Sequence, residues 1–112
     1  MITIESTGQS SKANGTSLSG YIKTSYSTLV KLFGESLGPS ADDKVAAEWH
    51  VLIKDRGEEV GFATIYNYKD GKNYAGSNGL NVEDIRTWHV GSKSNIDFYN
   101  VEDYIKEHEN VQ

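Results

Sequence analysis

Two Trp-His pairs limit what this chain can fold into. Trp49-His50 and Trp88-His89 each lie in a segment with strand character. Successive side chains of a β-strand point to opposite faces of the sheet, so each pair places an indole on one face and an imidazole on the other. The pairs therefore predict a sheet with one buried aromatic face and one polar face.

The strand around Trp49 has the clearest alternation in the chain. One set of positions is almost wholly apolar and is expected to face the core: Val45, Ala47, Trp49, Val51 and Ile53. A turn signal at Asp55-Arg56-Gly57-Glu58 separates this strand from a second one, Val60 to Tyr68, so a hairpin is predicted. The inward face of the second strand stays open, because two pairs compete for it: Phe62 with Tyr66, and Ala63 with Ile65.

Three further segments have strand character. Ile85 to Val90 is predicted as a sheet strand, in which Trp88 and Val90 share a face. Met1 to Ile4 is predicted as a short edge strand, and Leu18 to Lys23 alternates weakly. Two connecting segments lack an apolar period: Ser6 to Ser17 is expected to be a flexible loop or arm, and Asp70 to Asn81 a long exposed loop.

Two segments have helical spacing. The first helix has an apolar stripe at Tyr26, Leu29, Val30 and Phe33, with Thr24 or Ser25 as its N-cap and Gly34 at its end. The second lies within Ser94 to Val111, with a stripe at Val101, Tyr104, Ile105 and His108. Its capping box is either Ser94 with Asp97 or Asn100 with Asp103.

These elements predict an α+β fold. We expect a mainly antiparallel sheet of about four strands, with two helices packed on one face, beginning at Ser25 and near Asn100. The core should contain Trp49, Trp88, Leu29 and Phe33. With 112 residues, the chain is predicted to form a single domain.

Composition excludes several functions. The net charge of −5 disfavours direct nucleic-acid binding, which needs a basic surface. The absence of cysteine excludes disulfides, thiolate zinc sites and a thiol nucleophile. No apolar run is long enough for a membrane span, and the N-terminus lacks the features of a signal peptide, so a cytoplasmic protein is expected. No cofactor is predicted.

The two histidines allow a metal hypothesis and a simpler one. If their strands are neighbours in register, His50 and His89 share the polar face, where Glu48, Asp84 or Asp97 could complete a divalent metal site. However, the chain has no HxxxH or HExxH spacing. We therefore predict that both imidazoles are hydrated surface groups and that no metal is bound.

Two other kinds of site are considered. Arg86, Ser92, Lys93 and Ser94 could bind an anion, because Gly91-Ser92-Lys93-Ser94 precedes a helix, although the phosphate-loop pattern is incomplete. A small hydrolase would pair His50 or His89 with Glu48 or Asp84, although no serine lies in a G-x-S-x-G elbow.

The strongest positional clue to function is aromatic. Tyr66, Asn67 and Tyr68, followed by Tyr74, form a tyrosine-rich hairpin end. Tyrosine gives a large contact area at a small cost in conformational entropy, which suits recognition surfaces. The alternative is that half of these rings belong to the core of a small sheet. Partner binding is assigned to Tyr66, Tyr68 and Tyr74, with His50 and His89.

The stretch Tyr26 to Val90 resembles small, mostly uncharacterised proteins of tailed bacteriophages. The residues that carry the likeness span about two thirds of the chain: Gly20-Tyr21-Ile22, Leu29-Val30, Phe33-Gly34, Lys44-Val45, Glu48-Trp49, Ile65-Tyr66-Asn67-Tyr68-Lys69 and Trp88-His89-Val90-Gly91. The order of helix, Gly-Pro loop and three strands is also similar to the module of the β-lactamase inhibitor protein and its outer-membrane lipoprotein relatives. Those proteins bind partners on an exposed sheet face, and this second likeness concerns architecture alone.

The resemblance implies a phage-type protein in the cytoplasm of an infected bacterium. We expect it to bind a host protein as an inhibitor of a defence system. One alternative is a sponge that sequesters a small nucleotide, with the loop Asp70 to Asn81 as a cover and Lys93 or Arg86 at the phosphates. The small hydrolase is another.

Overall fold

The computed structural model describes residues 1–109, which form an antiparallel sheet with the two longer helices packed on one face. The strands lie in the order β1-β3-β4-β5-β2. Their bounds are β1 Ile2–Thr7, β2 Ser17–Lys23, β3 Glu48–Asp55, β4 Glu58–Tyr66 and β5 Thr87–Ser92. The α-helices are α1 Tyr26–Phe33, α2 Lys72–Ala75 and α3 Asn95–His108.

The predicted α+β class is confirmed, with corrections to the number of elements. The sheet has five strands rather than about four, because the weakly alternating segment Leu18 to Lys23 forms the edge strand β2. Its pattern is weak because Ile22 is its one buried residue. A third helix, α2, lies inside the segment predicted as a long loop.

The central hairpin is confirmed and its bounds are shifted. Arg56 and Gly57 form the turn with φ values of 53° and 86°, the conformation that two-residue hairpin loops favour. Strand β3 begins at Glu48 rather than Val45. The backbone N–H groups of Ala46 and Ala47 instead donate to the side-chain oxygen of Asn67, which ends the pairing there.

The register resolves the inward face of β4. Trp49 lies opposite Ile65, which lies opposite Val90. Directly opposed residues of antiparallel strands share a face, so Ile65 and Ala63 face the core, while Phe62 and Tyr66 lie on the other face. The core contains all four expected residues, Trp49, Trp88, Leu29 and Phe33.

The helix ends follow the capping signals in part. Ser25 accepts a hydrogen bond from the Thr28 N–H and begins α1, and Gly34 ends it with a φ of 83°. Helix α3 begins at Asn95 rather than near Asn100, with Ser94 as its cap. The predicted end of this segment at Val111 lies outside the described residues. No helix within residues 1–109 is long and apolar enough to cross a membrane.

The connection between β1 and β2 shapes the polar face. These two strands lie at opposite edges of the sheet and run parallel to each other. Residues 8–16 cross between them over the polar face, with a 3-10 turn at Ser11–Ala13, and we call them the crossover segment. The predicted loop Ser6 to Ser17 is thus shorter than expected, since its ends belong to β1 and β2. Its flexibility stays a prediction.

Candidate functional site

Four side chains form a row across the half of the polar face beyond the crossover segment. Glu48 on β3 lies opposite Tyr66 on β4, which lies opposite His89 on β5, which lies opposite Tyr21 on β2. Directly opposed side chains in antiparallel strands lie about 5 Å apart. Residues distant in the sequence therefore form one continuous surface.

His89 is surrounded by tyrosine rings. Its imidazole stacks on Tyr66 with ring centroids 5.2 Å apart, and it meets Tyr21 and Tyr68 edge-on at 4.9 Å and 6.0 Å. Burial lowers the pKa of His89, and the charge of Asp70 partly opposes this shift. The Nδ1 atom of His89 is buried with no hydrogen-bond partner within residues 1–109. The predicted hydrated surface imidazole is therefore corrected to a half-buried ring with its Nδ1 enclosed.

Tyr68 and Tyr74 extend this surface beyond the end of β4. The ammonium group of Lys69 lies 5.2 Å from the ring centre of Tyr68 and 5.7 Å from that of Tyr74. Such positions are cation–π contacts, and they hold the two exposed rings beside one another. We call Tyr21, Tyr66, Tyr68 and Tyr74 the tyrosine face.

The tyrosine face keeps its rings accessible. Tyr21, Tyr68 and Tyr74 are exposed, and Tyr66 is half-buried. Burial raises the pKa of the Tyr66 phenol, and the negative charge of Glu48 raises it further. Tyr66 and Tyr68 therefore both contact His89, which joins three of the residues that the aromatic hypothesis predicted.

One ring of this surface, Tyr21, and the neighbouring Lys69 were not predicted as site residues from the sequence. Tyr21 lies 45 residues before Tyr66, and the pairing of β2 with β5 is what brings it there. Its position next to the buried Ile22 in an alternating segment is the signal that could have found it. Lys69 was named only among the residues that carry the resemblance, with no role in binding. Asn67 is fully buried and holds two backbone N–H groups, so it belongs to the scaffold.

His50 is buried, which contradicts its prediction as a surface group. Its residue is 4% exposed, because the crossover segment covers it. The Ser10 N–H donates to His50 Nδ1 at 3.0 Å, and His50 Nε2 lies 2.8 Å from a carboxylate oxygen of Glu48. Since Nδ1 accepts a hydrogen bond, the ring proton lies on Nε2 and is donated to Glu48.

The two histidines do not converge on a shared site. His50 lies opposite Thr64, one side-chain row away from the row of His89, and β4 separates their strands. Two strand spacings amount to roughly 10 Å, too far for both rings to ligate one ion. Within residues 1–109, no group of three His, Asp or Glu side chains is arranged to hold a metal.

Of the pairs predicted for a hydrolase, Glu48 and His50 are in contact, but both ring nitrogens of His50 already have hydrogen-bond partners. Glu48 and His50 lie at a cavity of about 550 Å³ between the crossover segment and residues 37–41. Both nitrogens of His50 have partners, so the ring has no free lone pair to act as a base in this arrangement. The pair positions the Glu48 carboxylate.

The anion-binding residues are dispersed. Ser92 is buried, and its hydroxyl donates to the Ser94 carbonyl and contacts the Ser19 hydroxyl. The Ser94 hydroxyl accepts from the Ile96 N–H and so caps α3. Arg86 donates to carbonyl oxygens before β5, whereas Lys93 follows the end of β5. The six residues of β5 separate them by roughly 20 Å.

The loop proposed as a ligand cover is a compact structure. It contains α2 and a 3-10 turn at Gly76–Asn78, and a bridge between Gly71 and Leu80 closes its base. It follows β4, at the end of the sheet opposite Lys93. The loop therefore cannot cover a ligand that is bound at Lys93.

No protein-family model matches this chain, and no curated protein or solved structure matches it significantly.

Proposed function

We propose that this chain is a binding protein that recognises a protein partner through the tyrosine face. The observation that carries the proposal is the contact of His89 with Tyr21, Tyr66 and Tyr68. Aromatic rings held by neighbours lose little conformational entropy on binding and present a large contact area.

The half of the sheet that carries these rings is uncovered. The crossover segment lies over His50, which is buried, whereas Tyr21 and Tyr68 beyond it are exposed. The same chain therefore buries one part of its polar face and leaves its most aromatic part to solvent. Exposed aromatic clusters of this kind are typical of protein-binding surfaces.

We further propose that the partner is a host protein of a phage-infected bacterium and that binding inhibits a defence system. The support is the resemblance to small phage proteins. Three of the segments that carry it supply His89 and every ring of the tyrosine face except Tyr74: Gly20-Tyr21-Ile22, Ile65-Tyr66-Asn67-Tyr68-Lys69 and Trp88-His89-Val90-Gly91. The nucleotide sponge has less support, because Lys93 lies at the end of the sheet opposite the loop and the Arg86 guanidinium already donates to the Glu83 and Ile85 carbonyls.

The test is affinity capture from bacterial lysate with matched variants. Tyr21→Ala and Tyr68→Ala remove rings from the tyrosine face. Tyr99→Ala is the control, because Tyr99 on α3 is 57% exposed and Tyr21 is 54% exposed. We expect one protein to be captured by the wild type and by Tyr99→Ala, and to be lost with the other two variants. Equal capture by all four proteins, or no captured protein, would contradict the proposal.

A further inference from the structure

The cavity beside Glu48 and His50 is lined by one acidic side chain and, within residues 1–109, by no lysine or arginine. It measures about 550 Å³, and its walls come from residues 9–10, 13–14 and 37–41, with Glu48 and His50. The acidic side chain is that of Glu48. His50 is neutral, because its Nδ1 accepts the Ser10 N–H. The cavity therefore carries one negative charge with no cation beside it.

The Glu48 carboxylate is held in a fixed position. One of its oxygens accepts from His50 Nε2 at 2.8 Å, and the His50 side chain is 5% exposed. The Glu48 side chain is itself partly buried, so water solvates it incompletely. A partly buried carboxylate is stabilised by a hydrogen bond from a cationic group. Binding of that group costs little conformational entropy at the carboxylate, because the carboxylate is already oriented.

Neutral acceptors surround this charge. Gln9 and Asn14 line the same cavity and carry amide oxygens that can accept hydrogen bonds, whereas the Ser40 hydroxyl is already bonded to Asp42 and to the Val45 N–H. A guanidinium group carries five N–H donors in one plane, so it can satisfy a carboxylate and several neutral acceptors together. An ammonium group has three donors and suits this wider set of acceptors less well.

The cavity adjoins the tyrosine face at Glu48. Glu48 lies directly opposite Tyr66 in the strand register, and its charge contributes to the raised pKa of the Tyr66 phenol. We propose that the cavity receives an arginine side chain of the protein partner, with Glu48 as its ion-pair acceptor. This inference rests on the proposed function and names the chemistry that the partner must present.

The experiment titrates the ¹⁵N-labelled protein with the blocked peptide acetyl-Gly-Arg-Gly-amide and follows backbone amide shifts. We expect shifts at Ser10, Glu48 and His50, weaker binding of the lysine peptide, and no shifts with the glutamine peptide. Glu48→Gln keeps an acceptor for His50 and removes the charge, so it should weaken the arginine peptide about tenfold or more. Glu5→Gln, which removes a charge paired with Lys54 on the same face, should change it less than about twofold.

Three results of this titration would overturn the arginine site or its assignment to a protein partner. Equal shifts with the glutamine peptide, or unchanged binding in Glu48→Gln, would overturn the arginine site. Unchanged amide shifts at Val51 and Ile53 show that the variant is folded. Tighter binding of free L-arginine than of the blocked peptide would assign the cavity to a small molecule and overturn the partner assignment.

The two proposals fail independently. If Glu48→Gln leaves peptide binding unchanged while Tyr21→Ala abolishes capture, the arginine site is wrong and the protein-binding function stands. If the peptide binds through Glu48 while the tyrosine variants capture as well as the wild type, the tyrosine face is wrong.

Discussion

Trp49 and Trp88 bind the two ends of the same helix. The indole N–H of Trp49 donates to the Gly34 carbonyl at 2.9 Å, and that of Trp88 donates to the Thr24 carbonyl at 3.2 Å. Their rings meet edge-on with centroids 5.5 Å apart. An eight-residue helix is marginal by its own propensity, so α1 depends on this packing and on both hydrogen bonds.

Removing the Trp49 ring should destabilise the protein strongly. We expect Trp49→Ala to lower the free energy of unfolding by about 3–5 kcal/mol, because it leaves a cavity in the core. Trp49→Phe keeps a ring but leaves the Gly34 carbonyl without its donor, at a cost of about 1–3 kcal/mol. Urea unfolding followed by circular dichroism measures both. Melting of Trp49→Ala at the wild-type temperature would contradict the described core.

His50 should hold the crossover segment on the sheet. His50→Gln loses the ring that accepts the Ser10 N–H, so we expect it to cost about 1–3 kcal/mol and to accelerate hydrogen exchange of the Ser10 amide. Lys12→Ala is the control in the same segment, since it removes the exposed Lys12–Glu59 pair and should cost under about 1 kcal/mol. Unchanged exchange at Ser10 in His50→Gln would show that the contact does not anchor the segment.

His89 should make stability depend on pH. Burial lowers its pKa in the folded protein, so the unfolded chain binds more protons as the pH falls below about 6.5. The contribution of His89 to stability is therefore complete above that pH and decreases below it. We expect the free energy of unfolding to fall less between pH 7.5 and pH 5.5 in His89→Phe than in the wild type. Identical losses in both proteins would refute the shift.

Asp97 should have the opposite pH dependence. Its carboxyl is buried at the start of α3, and burial raises its pKa although the Phe62 backbone opposes the shift. The folded protein thus binds more protons than the unfolded chain at acidic pH, and this contribution is lost as the pH rises through the folded pKa. At neutral pH the ionised group costs stability.

Asp97→Asn, which keeps the shape without the charge, should therefore be more stable than the wild type at pH 7. The difference should shrink as the pH falls toward 4. Asp103→Asn on the exposed side of the same helix is the control and should show a much smaller effect. A destabilised Asp97→Asn at pH 7 would mean that the carboxylate is stabilised where it lies.

Local patterns in the sequence determined much of the fold. The alternation around Trp49 predicted its buried face, the spacing of Leu29 and Phe33 predicted α1, and Ser25 and Gly34 predicted its ends. These features were readable because each depends on residues a few positions apart, whose periodicity follows from strand and helix geometry.

Strand pairing decided what local patterns could not. Whether β4 faces the core with Ile65 or with Tyr66 depends on its register with β3, and a one-residue slip would reverse every side chain. The burial of His50 depends on the crossover segment, which has no apolar period to show where it lies. The row from Glu48 to Tyr21 likewise joins four strands, and local sequence patterns do not show which strands pair with each other. Local sequence therefore determined which side chains share a face of each strand, whereas the candidate site arose from the long-range pairing of those strands.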